Sequence, residues 1–400
     1  MAELPGNQAL SDATGDAFRS SRLDKMLSNF AASYKLYWLR SVFDEALAGS
    51  DVVPMRHLAA RMVALAWYPV TYFRLNLGAI DQLANAVKRA HEVCALRDDA
   101  TEQQIREAVL GSSDPELQRR LDDLCIFVPY RLIRPFYADR LSAEREQLGL
   151  NSYHFEQQVN RLVIEYNEQD RAGAPYSFVN DAIELDHDWV TYFRDNRHVV
   201  EGWLDMRLVG YLQARNPSVP AIPLKIHPPK KRDLAAARAW WAEALADHEF
   251  REIYTDVPFT AEAFEEHGSM SVDHFIPWSF VLHDEPWNLA PMFRDTNSSK
   301  GDRLPYVDAY LRPFCAQQFD ALTTLRGRGG RHRKVFESYA AIDPPWGSTS
   351  VPMRHGRRLP GRSRAWNFRC TRSRRTRGFR CGGARGRGFC TGSLRWLVEY

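Results

Sequence analysis

The sequence predicts an α+β chain in three parts: a mainly α-helical N-terminal region, a small finger of two strands and a helix, and a basic C-terminal tail. Three observations carry that expectation. Apolar residues recur at helical spacing, with start and stop signals between them, through most of the first 215 residues. The stretch "SVDHFIPWSFVLHDEPWNLAPMFRDTNSSKGDRLP", residues 271 to 305, drops that period for two short runs rich in β-branched and aromatic residues. The last 50 residues, Val351 to Tyr400, hold 14 Arg, no Lys and one acid, so the whole-chain charge of +3 conceals a body of net −10. The expected divisions are 18–215 for the helical region, 216–232 for a linker, 233–325 for the finger domain and 326–400 for the tail.

The helical elements follow from local chemistry. "AIDQLANAVKRAHE" puts Ile80, Leu83, Ala84 and Val87 on one face. In "GSSDPELQRRLDDLCIF", Gly111 closes one helix, and Asp114 caps the next with Pro115 at its first position. Leu117, Leu121, Leu124 and Cys125 continue the second helix's apolar stripe. Pro69 and Pro129 interrupt apolar runs and read as helix ends. No repeat of 20 to 50 residues argues for a solenoid.

"NPSVPAIPLKIHPPKKR" carries five prolines and a basic cluster, which suits a connector with neither helix nor internal strand. Its Lys230, Lys231 and Arg232 read as a solvated charge run. Beyond it, "DLAAARAWWAEALADHEF" is a helix with Asp233 as its N-cap. Three readings stand side by side for the tail. It is a disordered Arg–Gly arm for nucleic acid, an unstructured extension, or the translation of a frameshifted GC-rich message, the last favoured by so much Arg beside no Lys.

Composition narrows the class further. A chain of 400 residues allows about two domains, and 44% hydrophobic residues supply a substantial core. The N-terminus lacks a basic start and an apolar run, and the most apolar stretch, "MVALAWYPVTYF", meets Arg74 at once. A cytoplasmic protein with no membrane partner is therefore expected. The six Cys form no CxxC pair, so neither structural zinc nor disulfides are expected, and Cys94 and Cys125 read as small buried side chains.

The finger carries the chemistry. "MSVDHFIPW" suits a first strand, "SFVLHDEP" a loop, "WNLAPMF" a second strand and "TNSSKGDRLPYVDAY" a turn into a short helix. That layout brings Asp273, His274 and Asn297 to one groove and suits metal-assisted phosphodiester hydrolysis. Mg²⁺ takes oxygen ligands and retains water, so Asp273 and Asn297 suffice as protein ligands, with Mn²⁺ as a substitute. His274 has the pKa range of a general base, and Lys300 on the following helix can pair with a neighbouring phosphate.

The segments "VDHFIPWSF", "WNL" and "NSSKGDRLP" resemble the HNH endonuclease family, whose fold is the ββα-metal finger. They are also similar to the HNH nuclease domain of RNA-guided CRISPR effectors. The resemblance implies that Asp273 and Asn297 hold the metal and that His274 is the general base. It makes Asn288 the middle residue, which braces the loop and positions the histidine's backbone. It further implies cleavage of double-stranded DNA to 5′-phosphate and 3′-hydroxyl ends, in bacterial defence, restriction or mobile-element biology. A protein partner or a homo-oligomer is compatible with it. "YLQARNPSVPAIPLKI" and "REIYTDVPFT" likewise resemble segments of bacterial HNH proteins with a helical N-terminal region. The alternative is a module that binds nucleic acid without cutting, or an effector subunit that depends on a partner.

Other candidates weigh less. Asp186–His187 has nothing downstream to complete a site. His283 and Asp284 fall in the expected loop and read as solvated, and Asp295 sits two residues before Asn297, within reach of the same cation. No HExxH, Walker A or GxSxG pattern is present.

Overall fold

A computed structural model describes residues 7–27, 32–79, 81–97, 99–149, 151–229, 232–326, 328 and 332–342, with the pairs 369–370 and 396–397. The chain divides into two compact units, the first ending at Pro229 and the second beginning at Lys230.

The first unit is helical: α1 (Asn7–Met26), α2 (Tyr34–Leu47), α3 (Met55–Trp67), α4 (Gln82–Val93), α5 (Glu102–Gly111), α6 (Pro115–Ile133), α7 (Ala138–Leu148), α8 (Ser152–Gln169), α9 (His187–Asp195), α10 (Arg197–Arg215) and the single turn α11 (Ile222–Lys225). Its caps are those the side chains dictate. Asp114 accepts from Leu117 N at 2.8 Å, with Pro115 at the first position of α6. Asp81 accepts from Leu83 N, and its other oxygen takes the backbone and hydroxyl of Ser33, tying the starts of α4 and α2 together. Leu83, Ala86, Val87 and Ala90 form the buried stripe of α4, while Ile80 lies outside the described residues. Trp38, Trp67 and Trp189 are buried at the centre of the unit.

Several expectations need correction here. Pro129 does not end its helix; α6 continues to Ile133, and the Pro129 carbonyl accepts from the buried Tyr176 hydroxyl at 2.6 Å. Burial of Val128, Leu132 and Ile133 offsets the hydrogen bond the ring forfeits. Pro69 lies in a π-helical turn, Tyr68–Tyr72, directly after α3. A three-stranded antiparallel sheet also appears, ordered β1 (Val52–Pro54), β3 (Ala182–Leu185), β2 (Tyr176–Val179). Its β2–β3 hairpin turns on Asn180–Asp181, with Asn180 at φ +52, a left-handed position that Asn tolerates. The Pro-rich segment is not bare connector either, since Ile222 and Lys225 of α11 are both buried.

The second unit contains α12 (Ala235–Asp247), α13 (Ala261–His267), β4 (Met270–His274), the turn α14 (Trp278–Val281), β5 (Leu289–Phe293), α15 (Arg294–Lys300), α16 (Val307–Leu325) and α17 (Arg333–Ala340). Asp233 accepts from Ala235 N at 2.9 Å, one position before the residue at the formal cap of α12. Strands β4 and β5 pair antiparallel, from Met270 opposite Phe293 to His274 opposite Leu289. With α15 they make the ββα finger.

The hairpin is packed on both faces. On one, Val272 and Leu289 meet Trp240 and Trp241 of α12, Leu322 of α16, and Phe336 and Tyr339 of α17. On the other, Ala290 and Met292 meet Ile253, Tyr254, Tyr310 and Phe314. The tail therefore does not begin at 326. Arg328 reaches Glu243, His332 bonds Glu243 at 2.8 Å and stacks edge-on against Trp240, and α17 closes the core. Apolar side chains at 335, 336 and 339 of one helix outweigh the Arg-rich composition around them. Of the later residues, β6 (Arg369–Cys370) and β7 (Trp396–Leu397) pair antiparallel, and the rest of the expected disordered tail lies outside the described residues.

Candidate active site

Alternation along β4 sorts the site. Ser271 and Asp273 point to one face of the hairpin, with their ladder partners Met292 and Ala290; Val272 and His274 point to the other, with Pro291 and Leu289. Helix α15 follows β5 directly and lies over the Ser271–Asp273 face. Its start is fixed by Glu252, which is 1% exposed and accepts from Phe293 N at 2.8 Å and Thr296 Oγ1 at 3.0 Å. Gly268 permits the approach of α13, because at φ +84 it sits where an added Cβ would stand 3.0 Å from Arg294 Cβ.

From α15 two side chains reach back to β4. Asn297 Nδ2 donates to Ser271 Oγ at 2.7 Å, and Lys300 Nζ donates to Asp273 Oδ2 at 2.8 Å. Asn297 and Asp273 thus share one face, whereas His274, expected in the same groove, points to the other because adjacent strand residues alternate. Lys300 is buried, so the expected pairing with a phosphate gives way to an internal ion pair. An ammonium removed from water needs a compensating charge, and Asp273 supplies it.

Asn288 is equally buried and clasps the residue two past His274: its Oδ1 accepts from Ile276 N at 2.8 Å and its Nδ2 donates to Ile276 O at 2.9 Å. Its own carbonyl accepts from Phe275 N at 2.7 Å. These three bonds set the path of the chain as it leaves β4.

His274 is 1% exposed. Its Nε2 lies 2.8 Å from Asp284 Oδ1, and its Nδ1 is buried without a partner. Burial pushes the imidazole below its usual pKa, against the opposing pull of the Asp273 and Asp284 carboxylates. The ring is held in the neutral form, which has a lone pair to offer. Asp284, expected to be solvated, is the residue that sequence reasoning missed; the adjacent Pro286–Asn288 turn folds the loop back toward the strand end. No signal in the sequence marks it apart from its place between His283 and the "EPWN" run. Asp295 is exposed on α15, and Asp186 caps α9 through Trp189 N, a structural duty.

The described residues contain no cluster of three or more His, Cys, Asp or Glu able to hold a metal. The donors that are present are one carboxylate and one amide oxygen on a single face, with no sulfur or imidazole among them. Such a set suits a hard, oxygen-seeking cation such as Mg²⁺. Asn297 spends its NH₂ on Ser271, which leaves Oδ1 as the atom that can ligate.

Residues 252–306 match the family model for HNH endonuclease. The chain carries an HNH endonuclease domain. The HNH match runs from Glu252, the buried anchor of α15, to Tyr306, and leaves the helical unit outside it. No curated protein and no solved structure matches the chain significantly. The similarity to CRISPR effectors accordingly rests on the motif alone. HNH domains are metal-dependent nucleases, so the family implies a nucleic-acid substrate. Among the described residues no helix is long and apolar enough to cross a membrane.

Proposed function

We propose that the HNH domain is a DNA endonuclease in which His274 is the general base, Asp273 and Asn297 hold Mg²⁺, Asn288 fixes the strand end that carries the base, and Lys300 sets the charge of Asp273. The observation that carries this reading is the delivery of Asn297 and Lys300, one helical turn apart, onto the Ser271–Asp273 face of β4. With Nε2–H donating to Asp284, the Nδ1 lone pair takes a proton from water. The water oxygen bonds to phosphorus as the P–O3′ bond breaks, leaving a 5′-phosphate and a 3′-alkoxide that takes a proton from solvent water to become the 3′-hydroxyl. Mg²⁺, when bound, supplies Lewis-acid stabilisation of the charge on the phosphoryl and leaving oxygens. Double-stranded DNA as substrate and a role in bacterial defence or restriction are proposed from the resemblance of the motif.

The test is cleavage of supercoiled plasmid in Mg²⁺, Mn²⁺ and EDTA, beside His274→Ala. Metal-dependent nicking that disappears in the variant is the expected result, and equal cleavage by the variant overturns the role of His274. The burial of His274 beneath Asp284 favours one second reading, a domain held inactive until a partner or bound DNA displaces Asp284. In that case wild-type protein alone leaves the plasmid intact, and Asp284→Ala cleaves it.

A further inference from the structure

A cavity of about 410 Å³ in this unit is walled by Ile253, Tyr254, Tyr306, Tyr310 and Pro313, with the exposed Asp256 also lining it. The ladder register locates it. Tyr254 and Tyr310 share a core cluster with Ala290 and Met292, which stand opposite Asp273 and Ser271, so these two walls of the cavity pack on the face of the hairpin that carries Asp273 and Asn297. The phenol of Tyr254 is raised by burial and next by the charge of Asp273, in keeping with that proximity.

The chemistry of the walls selects what enters. Tyr254 and Tyr310 meet edge to face at 4.9 Å, and Tyr306, 52% exposed, leaves an aromatic surface in solvent at the mouth. Flat aromatic walls favour a flat π-system. Among the described lining residues Asp256 is the one with a formal charge, and a carboxylate repels phosphate while accepting from an exocyclic amine. Asp256 holds φ +60 in the turn closed by the bonds of Asp256 N to Glu252 O and Glu252 N to Val257 O, and ion-pairs with Arg251 at 3.7 Å.

We infer that the tyrosine-walled cavity beside Asp273 receives one unstacked nucleobase of the substrate strand, next to the phosphate to be cut. The inference rests on the reading of this domain as a nuclease and adds to it a preference for DNA that is unpaired or easily opened at the cleavage position, since a base inside a duplex cannot enter.

The experiment uses the full chain in EDTA, so that binding is read without cleavage, and a single-stranded oligonucleotide carrying one 2-aminopurine, a fluorescent base with an exocyclic amine. Wild-type protein quenches the probe saturably. Tyr306→Ala and Ala309→Trp, the second filling the cavity from an exposed position on α16, each weaken binding about tenfold and relieve the quenching. Tyr306→Phe, which keeps the ring, restores both. Equal quenching and equal affinity in all four proteins overturns the inference, whatever the cleavage result. Wild-type protein that binds and quenches, with no plasmid cleavage by it or by Asp284→Ala, removes the nuclease reading and leaves the base site standing.

Discussion

Asp284 Oδ1 holds His274 Nε2 at 2.8 Å across ten residues of chain, and this single contact decides which ring nitrogen is free. With Nε2 as donor, Nδ1 alone can act as base. Replacing Asp284 with Ala should lower kcat by roughly 10- to 100-fold with KM little changed, because ring orientation and tautomer are lost while substrate contacts remain. Asp284→Asn should keep most of the activity, since its amide oxygen accepts the same proton. Steady-state cleavage of a labelled oligonucleotide reads both. A rise in rate for Asp284→Ala would instead mark the contact as a brake.

Lys300 and Asp273 answer each other in the same way. Removing the carboxylate leaves a buried ammonium unpaired, so Asp273→Ala should cost roughly 3–5 kcal/mol of stability as well as the metal contact proposed for it. Lys300→Met, of similar length and without charge, should leave Asp273 a full negative charge for a cation. The expected outcome is Mg²⁺ binding tightened by about tenfold, and isothermal titration of the two variants separates the effects. Unchanged Mg²⁺ affinity in Lys300→Met would show that the pair does not compete with the metal.

Phe336 places its ring edge-on to Trp240 at 5.7 Å, inside the core of the HNH unit. Phe336→Ala should destabilise that unit by roughly 3–5 kcal/mol, measured as the shift in its urea midpoint. A chain ending at Leu325 should precipitate or unfold, whereas one ending at Ile342 should behave as the full sequence does. Identical midpoints for the two shortened chains would remove α17 from the fold.

Lys35 lies in a cavity of about 1060 Å³ in the helical unit, beside Arg131 and Arg134. Burial, and then those two guanidinium groups, lower its amine from 10.5 to about 8. A depressed amine pKa means more neutral, nucleophilic amine at moderate pH. Acylation of Lys35 should therefore rise with pH and level off above about 8. Mass spectrometry of the Lys35 peptide after brief labelling at pH 7 to 10 gives the curve, and a rate still climbing steeply at pH 10 would refute the depressed amine.

Much of the finger was legible because its signals are local. The spacing from Asp273 to Asn297 and Lys300 measures one hairpin and one turn of helix, whereas alternation along β4 turns His274 to the face opposite Asp273, away from the shared groove expected for it. Asp284 and Glu252 were not legible: each is a charged residue in a loop, where solvent is the ordinary surrounding, and its partner lies 10 or 41 residues away. The small sheet of the helical unit hid in strands of three and four residues, too short for a period, although its Asn180–Asp181 turn was in view. Pro129 was read by its local cost alone, while the packing of α6 on both sides of it decided the matter.

The seating of α17 against Trp240 also bears on the gene. Random text read out of register would not place Val335, Phe336 and Tyr339 at helical intervals to fill a gap shaped by residues nearly a hundred codons upstream. The packing of α17 argues that the codons through Ile342 share the frame of those for the β4–β5 hairpin, even though Arg and Gly already dominate residues 326–334. A shift of frame, if the source DNA holds one, then has its place downstream of α17, and sequencing there tests for it.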